Sequence, residues 1–350
     1  MYKNRMLRKL RLRRSITPLA GNSSNWSNKA FAAGCLAASE GAAPFGEERA
    51  RSDEVVPHHK VNAHWSHWYH SVKGLPWHAY HQTASKFMEG YFLKSGEYYG
   101  KWLLVPTVRR VAAIVTVMNE RDTISSVLEQ LHRLPLHEII FIVNGSTDES
   151  FEVIRNQSQA TIVHYHHALG HDVGRAVGAK LAESEILLFL DGDFVVFAEQ
   201  LVPFINAIQQ GMDIALNNIT PYVGPFSSRD YVTTIKEFVN RSMARAELGA
   251  NSLTAIPHAM SKQAAELIGY PNLAVPPKAQ VIALEKGLKV GSPSSVDVIT
   301  RNRVRARNVG QNNAVSNMIL GDHIEALRTA LDLKGPRLSF PDHNRRRQLT

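Results

Sequence analysis

Two carboxylates stand two residues apart in Asp191-Gly192-Asp193, directly behind the apolar run Ile186-Leu187-Leu188-Phe189-Leu190. Like charges this close repel unless a cation or a hydrogen-bond donor neutralises them. A divalent ion such as Mg2+ or Mn2+ takes oxygen ligands, bridges phosphate oxygens and stabilises a diphosphate leaving group as a Lewis acid. Gly192 lets the chain turn sharply and leaves room for a ligand. Taken alone, such a tripeptide reads equally as an acidic turn, so the elements that position it decide.

Those elements are orderly from residue 111 onward. Val111-Ala112-Ala113-Ile114-Val115-Thr116-Val117 is a short apolar run suited to a buried parallel strand. Ile124, Val127, Leu128 and Leu131 then follow helical spacing. Residues 139–143 give a second strand, ended by Asn144-Gly145-Ser146-Thr147-Asp148, and Asp148 can cap a helix through Phe151 and Ile154. Thr161 to Tyr165 give a third strand, a helix carrying Gly174, Ala176, Gly178 and Ala179 follows, and residues 186–190 give a fourth strand. The alternation predicts an α/β fold: a mostly parallel, Rossmann-like sheet flanked by helices, with right-handed crossovers. Ligands bind outside the carboxyl ends of such strands, so the polar residues after each strand are the site candidates.

Three blocks carry a resemblance to glycosyltransferase family 2, which has the GT-A fold. Val115-Thr116-Val117-Met118-Asn119-Glu120 is similar to the family's opening strand and its Asn-Glu ending. Ile140 to Asp148 is similar to its second-strand signature, and Leu188 to Asp193 looks like its Asp-X-Asp motif. The likeness is good over residues 110–215 and weakens beyond. It implies a donor site for a nucleotide-diphosphate sugar, with a UDP-sugar the first guess. Thr116, Met118 and Glu120 would line the nucleoside pocket, and Asn144 and Asp148 would lie near base and ribose, unless Asp148 serves only as a helix cap. Arg175 would pair with a phosphate through its planar fork, or else be a surface helix arginine. Asp191 would approach the ribose or sugar, and Asp193 would hold Mn2+ or Mg2+.

The chain departs from the family at two places. Val143 stands where an acid usually ends the second strand, which leaves the choice of nucleotide open. The segment from Tyr270 to Gln280, where inverting members carry an acidic pair, has no acid. An inverting transfer needs a group to take the acceptor proton. Asp230, Glu237 and Glu247 are the weak candidates in the intervening helical segment, and the catalytic base stays unassigned.

Further along, Gly321-Asp322-His323 is expected to open a last helix with Asp322 as its cap. His323 there either completes the metal shell or is a capped, exposed histidine. His258 in Pro257-His258-Ala259 either contacts acceptor or diphosphate or packs. Arg301, Arg303, Arg305 and Arg307 alternate with period two and would share one face of an extended segment, gripping a diphosphate or an anionic acceptor or lying in a solvated loop. Seven of the 16 histidines fall between His58 and His81, interleaved with Trp65, Trp68, Tyr69, Trp77 and Tyr80. Their spacing matches no compact ligand set, which favours a helical extension packing its aromatic face on the core.

The net charge of +9 sits in the tails. Residues 1–14 hold seven cations and no acid, residues 334–350 hold five cations and one acid, and the remainder carries −2. Binding of nucleic acid by the folded body is therefore not indicated; the tails can touch an anionic membrane surface peripherally or lie solvated. The expected organisation is a disordered basic tail over 1–56, the His/aromatic-rich helical extension over 57–109, the GT-A domain over 110–333 and a basic tail over 334–350. Within the domain, 110–215 would bind the nucleotide sugar and 216–333 the acceptor. One cysteine, Cys35, and no apolar run long enough to span a bilayer point to the cytoplasm, with an organellar leader as second reading. The expected activity is metal-dependent transfer of a sugar to an acceptor hydroxyl. The alternatives are nucleotidyl transfer to a sugar phosphate, disfavoured by the lack of a Gly-rich loop after Val117, and a non-catalytic binder of the same fold.

Overall fold

A computed structural model of the chain describes residues 23–40, 58–93, 100–300 and 314–342. At its centre is a seven-stranded sheet in the order β3-β2-β1-β4-β6-β5-β7. The strands are β1 (Val111–Val117), β2 (Glu138–Asn144), β3 (Thr161–Tyr165), β4 (Ile186–Asp191), β5 (Ile214–Asn217), β6 (His258–Ser261) and β7 (Val290–Ser294). All pair in parallel except β6, which runs antiparallel to both β4 and β5. The mostly parallel α/β sheet expected from the alternation is present.

The period of two along the strands assigns one side chain set to each face. Val111, Ala113, Val115, Phe141, Val143, Leu188 and Leu190 pack with α4 (Arg121–Leu131) and α7 (Ala198–Gln209). Ala112, Ile114, Ile140, Ile142, Leu187 and Phe189 pack on the other side with α6 (Val173–Leu181), α9 (Lys262–Ile268) and α10 (Pro276–Glu285). Helix α6 comes down close on β1 because its contact face is glycine. A Cβ at Gly178 would lie 2.3 Å from Ile114 Cγ2, and one at Gly174 would lie 2.9 Å from Thr116 Cγ2. Helix α5 (Ser150–Gln157) follows β2, and α8 (Tyr231–Ser242) and α11 (Ala314–Lys334) share a small separate core with α10.

The N-terminal region joins the first of these layers. Helices α1 (Ser23–Glu40), α2 (His58–Ser71) and α3 (Tyr80–Tyr91) bury Ala30, Trp65, Tyr80 and Phe87 in the same core as β1 and β4. The Trp65 indole donates to the Tyr80 hydroxyl at 2.8 Å, which donates to Leu104 O at 2.9 Å. Asn62 clips the segment before β1 twice, donating to Thr107 O and accepting from Val105 N. The aromatic packing face expected of the extension is therefore found. No group of three or more His, Cys, Asp or Glu that would hold a metal occurs among the described residues.

One expectation is corrected here. Residues 23–40, placed in a disordered tail, form α1. Its low-complexity Ala/Gly composition is a packing surface: a Cβ at Gly34 would lie 2.0 Å from Phe87 O, and one at Gly90 would lie 2.1 Å from Phe31 O, so α1 and α3 touch backbone to backbone. Cys35 lies on this helix. The rest of the expected tail, residues 1–22 and 41–56, lies outside the described residues, as do the arginines of 301–307 and the last part of the basic tail from residue 343. No helix of the described residues is long and apolar enough to cross a membrane.

Candidate active site

The carboxyl ends of β1 and β4 lie side by side, with Thr116 in register with Asp191. The Thr116 hydroxyl donates to Asp191 Oδ1 at 2.6 Å. The turn behind Asp191 is tied down at once: Gly192 N donates to Thr116 O at 2.8 Å, and the Thr123 hydroxyl at the start of α4 donates to Gly192 O at 2.5 Å. A Cβ at Gly192 would meet Val117 Cγ2 at 2.9 Å, so glycine is required where the turn presses on β1. The tripeptide is thus a held platform at the strand mouth rather than a loose acidic turn.

Arg175 neutralises it from below. The glycine-mediated approach of α6 to β1 carries Arg175 into the interior, where it is 4% exposed. Its Nη1 donates to Leu253 O at 3.0 Å and pairs with Asp172 Oδ1 at 3.1 Å, while Nη2 stands 3.5 Å from Asp191 Oδ2. Burial opposes the guanidinium charge, but Asp172 and Asp191 outweigh it and hold the group protonated. Asp172 in turn stays ionised: burial raises its carboxyl, and Arg175 more than offsets that. Arg175 is therefore neither a surface arginine nor an exposed phosphate clamp. It is a buried counter-charge, and its Nε has no hydrogen-bond partner among the described residues.

The loop after β2 is a scaffold. Asn119 adopts a left-handed conformation at φ 61°, and its side chain accepts from Thr147 N at 2.8 Å. Asp148 accepts from Ser150 N at 3.0 Å and Arg121 N at 3.1 Å, joining the starts of α4 and α5. Burial pushes its carboxyl up, but the hydrogen bonds from Ser150 and Arg121 win and hold it below the usual range. The N-cap of α5 is Glu149, so Asp148 is not the cap expected of it; it ties the two helix starts together from one residue earlier. Asn144, expected near the base and ribose, has its amide committed to the following loop, donating to Gly170 O and accepting from Leu169 N, both at 2.8 Å. Met118 is exposed at the mouth, and Glu120 is buried at the start of α4.

Several site expectations in the second half need correction. His258 does not reach an acceptor. It lies on β6, buried, with its ring stacked on Phe189 at 4.9 Å and its Nδ1 3.2 Å from Ala255 O. Burial, helped by Arg175, pushes it down to about 3, so it is neutral. The cavity beside it, about 10 Å³, holds no more than a water. His323 and Asp322 are interior residues of α11 and do not open it: the helix starts at Ala314, and Gly321 is tolerated inside at the modest cost of an interior glycine. His323 is buried, its Nδ1 2.6 Å from Ile319 O, and burial pushes it down to about 4. It is not brought into a three-ligand metal group with Asp191 and Asp193. The three candidate bases are all engaged. Asp230 caps α8 through Thr233 N at 2.6 Å, Glu237 pairs with Arg229 and with Arg241 at 2.8 Å, and Glu247 pairs with Arg245.

Three neighbours of the platform were not picked out from sequence. Asp172 and His171 precede α6, with His171 Nδ1 3.3 Å from Asp172 Oδ1. Lys236 reaches in from α8; burial lowers its amine to about 8, with Asp230 opposing and Arg175 adding to the shift. A helix-facing lysine and a loop histidine carry no spacing signal that marks them.

The donor set suits one mode of cation binding. Asp191 has one oxygen on Thr116 and the other near Arg175, and Asp193 follows two residues on. Mg2+ and Mn2+ sites of the phosphate-bridging kind use one or two carboxylates and complete the shell from substrate phosphate and water. Two acids, with no group of three ligands among the described residues, fit that mode. A second cavity, about 500 Å³ and lined by Trp77, Asn206, Gln210 and Lys289, opens near the amino ends of β5 and β7. It lies at the opposite end of the sheet from this chemistry.

Residues 112–264 match the family model described as glycosyl transferase family 2. Among solved structures, glucosyl-3-phosphoglycerate synthase from Mycobacterium tuberculosis in complex with Mn2+, UDP and glucosyl-3-phosphoglycerate is 17% identical, with 67% of this chain and 82% of that chain covered and a TM-score of 0.45. The same enzyme with Mg2+ and UDP is 15% identical, with 67% and 81% covered and a TM-score of 0.44. A structure described as a mycobacterial protein is 17% identical, with 67% and 76% covered and a TM-score of 0.44. No curated protein matches the chain.

Proposed function

We propose, from the match of residues 112–264 to the glycosyl transferase family 2 model, that the chain transfers a sugar from a nucleotide-diphosphate sugar to an acceptor hydroxyl with Mn2+ or Mg2+. The observation that carries the reading is the ordered carboxylate at the strand mouth: Asp191 is fixed by Thr116 at 2.6 Å and balanced by buried Arg175 at 3.5 Å, with Asp193 two residues on. Keeping a charged pair buried costs several kcal/mol of desolvation per ion in general, and such groups persist where a site needs them.

The nucleoside would lie over the ends of β1 and β2, against Thr116 and exposed Met118. Asp193, with Asp191 behind it, would hold the cation together with the donor's diphosphate. Lewis-acid neutralisation of the leaving diphosphate is the chemistry that cation supplies. The protein's own part is to hold Asp191 in a single orientation and to supply Arg175 as a fixed, desolvated positive charge beneath it. Such preorganised charge needs no rearrangement during reaction.

Nucleotidyl transfer is disfavoured by the chain after β1, which runs Met118-Asn119-Glu120 with a buried glutamate and no glycine-rich loop to cradle a triphosphate. The two reactions leave different products, and that separates them. A panel of UDP- and GDP-sugars, each with and without Mn2+, is incubated with the full chain. Metal-dependent release of nucleoside diphosphate supports sugar transfer, and UDP-sugars are the first donors to try. Pyrophosphate formation from a nucleoside triphosphate and a sugar phosphate would support the alternative. Neither product from any donor would leave a non-catalytic binder.

A further inference from the structure

The loop from β3 ends on His171 and Asp172, and the site as described gives neither a chemical task. Asp172 occupies the N-cap position of α6 at φ 60° and ψ −12°, a left-handed conformation unfavourable for a residue with a Cβ. Its side chain does not cap the helix. The backbone turn instead places one oxygen, Oδ1, against two nitrogens: His171 Nδ1 at 3.3 Å and Arg175 Nη1 at 3.1 Å. Asp172 is nearly buried, while the His171 side chain keeps 49% of its surface exposed. Among the described residues no hydrogen bond holds His171 Nε2. A continuous chain of contacts therefore runs from an exposed imidazole through Asp172 and Arg175 to Asp191 and Thr116 on the strand mouths.

A half-exposed imidazole with one nitrogen anchored on a buried carboxylate is the arrangement of a general base. The carboxylate fixes the tautomer and stabilises the imidazolium that forms. We propose that His171 is the catalytic base of the transfer, taking the acceptor hydroxyl proton on Nε2, with Asp172 as its positioning residue. The inference rests on the glycosyltransferase reading above. The acceptor oxygen forms a bond to the anomeric carbon as the bond from that carbon to the diphosphate oxygen breaks. The electron pair of the broken bond leaves on the nucleoside diphosphate. The hydroxyl proton passes to His171 Nε2 and then to solvent. Attack opposite the leaving group inverts the anomeric centre.

The charged groups around the ring are consistent with this task. Asp172 and Arg175 face it from α6, Asp191 from β4 and Asp322 from α11. The hydrogen bond to Asp172 comes first among them and raises the imidazole against the effect of burial. Asp322, held up to about 6 by burial and by Asp172 and Glu325, is the remaining carboxylate near the ring.

The test uses the full chain, Mn2+ and the sugar nucleotide of the panel that releases nucleoside diphosphate fastest, with water as acceptor. His171→Gln is expected to bind the nucleoside diphosphate with Mn2+ within about twofold of wild type and to turn over about 10²- to 10⁴-fold more slowly. His171→Ala is expected to regain part of its turnover in added imidazole, which a merely structural role would not produce. The first sugar released, followed by proton NMR, is expected in the anomeric configuration opposite to that of the donor. Turnover by His171→Gln within about threefold of wild type, loss that imidazole does not restore, or a retained configuration would each overturn the assignment. Failure of the wild type to bind any nucleotide is read separately in the binding arm and sinks the transferase reading itself.

Discussion

The two halves of the sheet spend their polar residues differently. From β1 to β4, charged and hydroxyl side chains bond across elements: Thr116 to Asp191 across two strands, and Arg175 on α6 to Asp191 on β4. From α8 onward, the three carboxylates considered as bases bond to near neighbours in sequence, as in Asp230 with Thr233, Glu237 with Arg241 and Glu247 with Arg245. Where the second half ties distant elements, it uses partly exposed ion pairs between α10 and α11, Lys278 with Glu325 at 2.9 Å and Lys334 with Glu285 at 2.8 Å, and buried neutral amides. Gln280 donates to Asn240 Oδ1 at 2.7 Å and accepts from Leu253 N at 2.9 Å, and Asn217 donates to Ile256 O and Val296 O. Converging strand ends gather charge from several segments into one place, whereas local pairs and amide clips consume polar groups without making a site. That is why the acids of the second half, attractive as bases in sequence, are not free to act as one.

The contrast can be broken or sharpened by substitution. The largest effect is expected from Arg175→Met, which leaves buried Asp172 without its cation. Loss of one partner of a buried pair costs about 3–5 kcal/mol, read as a lowered denaturation midpoint with an unchanged m-value. A cost under 1 kcal/mol would mean that the pair is not the buried counter-charge described here. Gln280→Ala is expected to cost about 1–3 kcal/mol, because Asn240 Oδ1 and Leu253 N lose their buried partner. Nucleotide affinity should be unchanged, since the amide network is scaffold.

A third, smaller effect appears on acidification. His258, at about 3, and His58 and His323, at about 4, are neutral in the folded protein and have ordinary values near 6.5 when unfolded. The unfolded chain therefore binds more protons below pH 6.5, so stability is full above that value and falls as pH drops toward 4 and then 3. His258→Leu should flatten the slope of stability against pH in that window by up to one proton, about 1.4 kcal/mol per pH unit at most. An unchanged slope would contradict the buried, neutral state. The smallest effect is expected from Glu247→Gln, whose carboxylate is 62% exposed and paired with Arg245. Stability should stay within about 0.5 kcal/mol and turnover should not change; a large loss of turnover would restore it as a base candidate.

Legibility followed the same division. Strands β1 and β3 have the bounds their apolar runs predict, and β2 and β4 differ by a residue at their ends, because buried parallel strands must be continuous and apolar. Strands β5, β6 and β7 are four or five residues long, and Val290-Gly291-Ser292-Pro293-Ser294 has no period to read. Thr116, Asp191 and Arg175 come together because a strand end fixes where its next residues go. Arg175 was misjudged in depth, since nothing in its own spacing announces that glycines at 174 and 178 would sink its helix onto β1. Histidine 323 was misplaced because Gly321-Asp322 imitates a helix start, while Ala314 to Leu320 already form the helix. The Ala-rich stretch of α1 read as unstructured because its packing is made by the absence of side chains.

Asp193 and Asp191 are proposed as a diphosphate and cation platform at the mouths of β1 and β4. Calorimetric titration with UDP and with GDP, each with and without Mn2+, on wild type and Asp193→Ala addresses it most directly. The account predicts that one nucleotide binds only with Mn2+, that Mn2+ alone binds weakly because its shell is completed by phosphate, and that Asp193→Ala abolishes the metal-dependent part without unfolding the protein. Nucleotide binding that is equally strong without metal and unaltered by Asp193→Ala would contradict it.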